Sequence, residues 1–193
     1  MKVLAIGWLA GGACLVLLSL GGEMPAVAQV LQDARPVAVL KPEIPRVSVM
    51  IPVLGIDFTA LHDDYEQPRG GGRTHHALDI LAPRGTPVVA AVDGTIRKLF
   101  TSRSGGLTIY QFDLKEERVY YYAHLDRYAD GLAEGQKVKQ GTVIGYVGTS
   151  GNAPPDTPHL HFSVETLPPT KEWWKGVPMN PYPLLTARAS VLP

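Results

Sequence analysis

Five of the six histidines in this 193-residue chain fall into three short clusters. The first cluster, Arg73-Thr74-His75-His76-Ala77-Leu78-Asp79-Ile80, places His75 and Asp79 four positions apart. That spacing brings both side chains to one face of an extended strand and equally to one face of a helix, so either backbone lets them converge on one ion. His76 falls on the opposite strand face, which gives it an exposed or packing role, and the isolated His62 is likewise left outside the site. The second cluster, His159-Leu160-His161-Phe162, alternates polar with apolar residues in the manner of a half-buried strand. His159 and His161 then face one side, and Leu160 and Phe162 the other. The third is Tyr120-Tyr121-Tyr122-Ala123-His124-Leu125, where strand periodicity predicts that Tyr120, Tyr122 and His124 share a face.

Three ligands drawn from histidine and aspartate leave the fourth tetrahedral position of a zinc ion open, the arrangement of a hydrolytic rather than a structural site. An ion held that way brings the pKa of its water from about 15.7 toward about 7 and polarises a carbonyl. No H-E-x-x-H run is present, so the glutamate base of the helical zinc proteases is missing. Histidine, with an unperturbed pKa of about 6.5, is the natural substitute. The single cysteine, Cys14, lies in the N-terminal apolar run, so disulfides and thiolate ligands are excluded from the rest of the chain.

The elements that must position these groups are strands. Twenty glycines and 17 prolines argue against long helices and for short strands separated by turns. Val88–Val92 and Thr95–Phe100 flank Asp93-Gly94, a dipeptide that predicts a tight hairpin. Leu107–Leu114 and Arg118–Leu125 flank the charged turn Lys115-Glu116-Glu117 and predict another. Thr142–Val147 and His159–Glu165 supply two more strands, joined by a Gly- and Pro-rich loop. Gly85-Thr86-Pro87-Val88 is echoed by Gly135-Gln136-Lys137-Val138, which fits either an internal duplication or two unrelated strand entries. The expected fold class is all-β and mainly antiparallel.

Lys2 is followed by an uncharged run from Val3 to Leu20 and then by Ala26-Val27-Ala28. Residues 1–28 therefore read as a signal peptide with an A-x-A cleavage site after Ala28, the alternative being an uncleaved anchor. The protein is expected to be exported, to the periplasm, cell envelope or medium, with no stable membrane insertion once the signal is removed. Residues 29–53, with Pro36, Pro42, Pro45 and Pro52, form an extended leader: a linker, an added edge strand or a pro-segment. The domain proper is drawn over 54–185 and a tail over 186–193. Eighteen basic residues balance 18 acidic ones, so no nucleic-acid partner is expected.

Taken together, Arg73 to Ile80, Ala82 to Val88, Tyr122-Ala123-His124-Leu125, Val138 to Gly148 and Pro158 to Phe162 resemble the lysostaphin/LytM-type zinc endopeptidases, which cleave peptidoglycan peptides. The likeness runs from about Val53 to about Leu185 and includes Asn180-Pro181-Tyr182. It implies a duplicated-hybrid-motif β-sandwich with an open substrate groove, Zn2+ held by His75, Asp79 and His161, and catalytic His124 and His159 beside the metal water. The implied activity is hydrolysis of cross-links or stem peptides of peptidoglycan. The alternative is a non-catalytic module of the same fold that binds peptidoglycan and activates a cell-wall amidase. Two departures from the family pattern stand out. Ala77 replaces the usual glycine of H-x-G-x-D, which restricts φ there, and no asparagine between Gln29 and Thr74 is present to occupy the zinc as in latent members. Tyr65 and Tyr122 are the candidates for a tyrosine that stabilises the tetrahedral intermediate.

Overall fold

The computed structural model describes residues 48–187; the expected signal peptide 1–28, the segment read as leader up to 47 and residues 188–193 lie outside the described residues. The strands are β1 (Pro68–Arg69), β2 (Arg73–Thr74), β3 (Leu78–Leu81), β4 (Pro87–Val89), β5 (Gly94–Ser102), β6 (Gly106–Asp113), β7 (Arg118–Tyr128), β8 (Lys137–Val138), β9 (Val143–Val147), β10 (His159–Thr166) and β11 (Val177–Met179). A short helix, α1 (Tyr182–Thr186), follows them. No helix among the described residues is long and apolar enough to cross a membrane.

All strand pairs are antiparallel, and β10 is the hub of the main sheet. One edge of β10 pairs with β7, from His161 opposite Ala123 to Thr166 opposite Arg118. Its other edge pairs first with β3 and then with β11. Beyond β7 the sheet continues through β6 and β5 to β8. The last residues of β7 turn away to pair with β9, which pairs in turn with β4. This bend lays a second layer over the first. Between the layers, Leu78, Val88, Ile96, Ile109, Tyr122, Leu125, Ile144, Leu160 and Phe162 lose all contact with water, which is the main force holding the sandwich closed.

The hairpin expected at Lys115-Glu116-Glu117 forms between β6 and β7. The one expected at Asp93-Gly94 does not: β4 pairs with β9, whereas β5 pairs with β6 and β8. Asp93 instead makes a corner, accepting from the Gln140 backbone N–H at 2.8 Å and from Lys139 Nζ at 2.9 Å. Gly94 is needed for close approach, because a Cβ there would stand 1.9 Å from the carbonyl oxygen of Phe112. Turn chemistry and strand crowding both select glycine, and the sequence does not distinguish them.

The internal echo has a structural counterpart. Gly85 N–H donates to Val147 O and Val147 N–H to Thr86 O, while Gly135 N–H donates to Ile96 O and Ile96 N–H to Gln136 O. Both glycines take positive φ, 85° and 83°, and each leads into a short strand lying along a strand of the other half. This reciprocal exchange is what a duplicated motif produces. The last residues of the segment read as leader also belong to the packed domain. Met50 N–H bonds to Ala91 O, Val89 N–H to Pro52 O, and Val49 and Val53 enter the core.

Candidate metal centre

The pairing of β3 with β10 sets Asp79 directly opposite His161, and directly opposed residues of an antiparallel pair project to the same face. His75 reaches the same point from the link before β3. Its Nε2 lies 3.0 Å from Asp79 Oδ1 and 3.1 Å from His161 Nδ1, and His161 Nδ1 is 3.0 Å from Asp79 Oδ1. His75 and Asp79 do not share one continuous strand or helix. The chain reverses at His76, where φ is +53°, and the two side chains meet through that reversal. Ala77 is fully buried at negative φ, so the departure from H-x-G-x-D falls where alanine is accommodated.

Backbone carbonyls fix the histidine tautomers. His75 Nδ1 lies 3.1 Å from Asp64 O, His159 Nδ1 2.8 Å from Thr157 O, and His124 Nδ1 2.8 Å from Ser150 O. A carbonyl only accepts, so each Nδ1 carries a proton, and in the neutral ring it is Nε2 that is left with the lone pair. In His75 the Nε2 atom faces Asp79 and His161. His159 Nε2 stands 3.7 Å from Asp79 Oδ1, and the His124 ring sits 5.0 Å from the His159 ring and 5.6 Å from the His161 ring, centroid to centroid.

The donor set fits a small divalent cation. Two imidazole nitrogens and one carboxylate oxygen form a triangle with edges of 3.0 to 3.1 Å. A tetrahedral ion holding such donors at about 2.1 Å sets them roughly 3.4 Å apart, so a few tenths of an ångström of opening admits one. Asp79 Oδ2 is engaged separately by Arg69 Nη2 at 2.6 Å, which leaves a single oxygen facing the triangle. No residue between 48 and 74 takes a place in this triangle: Asp64 lies behind His75, with Oδ1 3.4 Å from Nδ1.

The electrostatics separate the histidines. Burial pushes His75 down, but hydrogen bonds to Asp64 and Asp79 and their negative charges outweigh it and push it up to about 9. Burial raises Asp79, and its hydrogen bonds to His161 and His75 reverse that, holding the carboxyl well below the usual carboxylate range. His124 is pushed down to about 4, chiefly by burial, so its ring is neutral at physiological pH.

His124 reaches the site by a route that strand periodicity does not contain. Tyr120 and Tyr122 point into the core, and Tyr121, not they, lines the groove with His124. The expectation that Tyr120, Tyr122 and His124 share a face is therefore corrected. Between the pairs Ile109 with Tyr122 and Leu107 with Leu125, β7 spends one residue more than β6, and His124 takes φ +59° in that bulge. An extra residue inverts the alternation beyond it. Ser150 repairs the ladder: its Oγ accepts from Leu107 N–H at 3.0 Å and donates to Leu125 O at 2.7 Å, while its carbonyl holds His124. Ser150 and Arg69 were not found from sequence. The signals available were Ser150-Gly151 in the loop after β9 and an arginine beside three glycines, and neither points to a site without the fold.

The remaining candidates fall elsewhere. Tyr122 OH donates to Gln111 Oε1 inside the core, so it is no part of the site. Tyr65 packs against His76 with ring centroids 5.4 Å apart and the planes tilted by 40°, and neither ring lines the groove. Trp173 packs on Tyr110 and Phe100 at 4.5 and 5.6 Å, pinning the segment after β10 onto the sheet. The groove itself, about 580 Å³, is bounded by β1 and β2 on one side and by the loops after β5 and β9 on the other.

A mainly antiparallel β fold here carries, in an open cleft, a His/Asp/His triangle that could hold a metal ion. The chain belongs to peptidase family M23, whose family model matches residues 73–181, more than half of its length. It is 38% identical over 123 residues to the L-Ala–D-Glu endopeptidase of Bacillus subtilis, a match covering 61% of this chain and 36% of the relative. Among solved structures, the catalytic domain of lysostaphin from Staphylococcus simulans matches at 30% identity and a TM-score of 0.53, covering 62% of this chain and 85% of that one. A putative glycyl-glycine endopeptidase lytM from Ruminococcus gnavus matches at 31% identity and a TM-score of 0.61, covering 74% and 61%. The chain thus spans little more than a third of the length of the Bacillus relative.

Proposed function

We propose that this protein is a zinc-dependent endopeptidase that hydrolyses cross-links or stem peptides of bacterial peptidoglycan in the cell envelope. His75 Nε2, Asp79 Oδ1 and His161 Nδ1 would hold the ion, which when bound supplies Lewis acidity to a water and to the scissile carbonyl. The observation that carries the reading is the convergence of these three donors with two further imidazole rings, those of His124 and His159, in one groove. His124 and His159 present Nε2 to the groove, where either accepts a proton from the attacking water. The imidazolium so formed donates toward the developing oxyanion and then to the departing amine. Their carbonyl-anchored Nδ1 atoms keep both rings aimed during these transfers. The L-Ala–D-Glu bond named for the Bacillus relative supports the reaction class, and the peptidoglycan named for a Vibrio cholerae endopeptidase relative supports the substrate class.

The test is incubation of the zinc-loaded protein with purified sacculi, with mass spectrometry of the released peptides beside a chelated control. Release that is absent in both samples rejects the proposal. A His124→Ala variant is expected to keep its zinc and to lose at least a hundredfold in turnover, since general acid–base groups contribute about 10²–10⁴. Undiminished turnover at unchanged zinc content removes His124 from the mechanism.

A further inference from the structure

We infer that Arg73 is a carboxylate-recognition residue of the groove, which directs the enzyme to anionic stem peptides in preference to neutral glycine bridges; this rests on the peptidase reading of the same site. The strands β1 and β2 form a two-pair ribbon with Arg69 directly opposite Arg73, closed by Gly70 to Gly72. Directly opposed residues of an antiparallel pair share a face, and like charges in that position destabilise the ribbon. Both arginines line the groove. Arg69 is neutralised by Asp79. Arg73 is not: its Nε donates to Gly70 O at 3.2 Å, and among the described residues its terminal nitrogens have no acceptor and no carboxylate pairs with it.

The charge of Asp79 is already committed, one oxygen to Arg69 and the other to the histidine pair. No other carboxylate and no lysine line the groove. Its fixed charge is therefore positive at Arg73 before any cation enters, and a cleft of one sign concentrates ligands of the other. A guanidinium whose fork is free matches a carboxylate with two parallel hydrogen bonds. A glutamyl residue keeps one carboxylate free after its amine and its other carboxyl have entered peptide bonds. A glycine bridge carries none. The groove thus fits the bond named for the Bacillus relative better than the one named for the Ruminococcus protein.

The experiment measures equilibrium binding and hydrolysis of three probes by the zinc-loaded full chain. These are an Ala–D-Glu stem peptide with free carboxylates, the same peptide amidated, and pentaglycine. The free acid is expected to bind about tenfold or more tightly than the amide, the scale of one charge-assisted contact. Arg73→Gln should abolish that difference and Arg73→Lys should retain part of it, at unchanged zinc content and melting temperature. Equal affinity for acid and amide, a preference that survives in Arg73→Gln, or no binding of the stem peptides overturns the inference. Cleavage without preference overturns the inference and leaves the peptidase reading standing. An Arg73-dependent preference without cleavage overturns the peptidase reading and leaves Arg73 as a carboxylate-binding residue of the groove.

Discussion

Replacing Tyr122 by phenylalanine separates a core role from a catalytic one. Its hydroxyl is wholly buried, donates to Gln111 Oε1 at 2.6 Å and accepts from Ala91 N–H at 2.9 Å. Gln111 Nε2 completes the chain by donating to Val92 O at 2.7 Å, so the network ties β6 and β7 to the segment after β4. Tyr122→Phe leaves one buried acceptor and one buried donor without a partner, at about 1–3 kcal/mol each. Part of that is recovered where Gln111 shifts, so a loss of about 2–4 kcal/mol is expected. For a protein of this size it lowers the melting temperature by roughly 5–15 °C. The readouts are thermal unfolding by circular dichroism and peptide hydrolysis at 20 °C on the same preparation. The expected result is a destabilised variant with wild-type turnover and zinc content. A native melting temperature combined with lost turnover would refute the core assignment and return Tyr122 to the site.

Four further outcomes are expected. Zinc binding near pH 7 should release protons, because His75 in the metal-free protein holds a proton up to about 9; titration calorimetry in buffers of different ionisation enthalpy reads this, and no buffer dependence contradicts it. The same raised value makes protonated His75 stabilising. Its contribution is fully present below the unfolded value of about 6.5 and is lost as pH rises through about 9, so the metal-free protein should melt lower at pH 9.5 than at pH 7. His124, depressed to about 4, has the opposite sign: its contribution is present above about 6.5 and is lost on acidification toward 4. The His124→Ala variant should therefore show a shallower fall in melting temperature between pH 6.5 and 4.5 than the wild type. Gly94→Ala should unfold the protein or cost more than about 3 kcal/mol, because its Cβ meets the Phe112 backbone, whereas Gly70→Ala, with nothing within 4 Å, should be near neutral; denaturant midpoints separate the two.

The sequence alone determined what depends on short-range alternation and on donor chemistry. In β10, His159 and His161 face the groove while Leu160 and Phe162 face the core, as period-two patterning requires. The hairpin between β6 and β7 and the all-β class followed from β-branched and aromatic runs between turn residues. Tertiary structure decided what depends on chain reversals and on which strands become neighbours. The bulge that turns His124 into the groove is one extra residue accommodated by Ser150 from a distant loop, and no local pattern records it. The reversal at His76, the exchange of β4 and β8 between the two halves, and the ion pair of Arg69 with Asp79 are likewise settled by partners remote in the chain. Side-chain alternation is fixed by the covalent geometry of each strand, whereas register and pairing are fixed by the free energy of closing the whole sandwich.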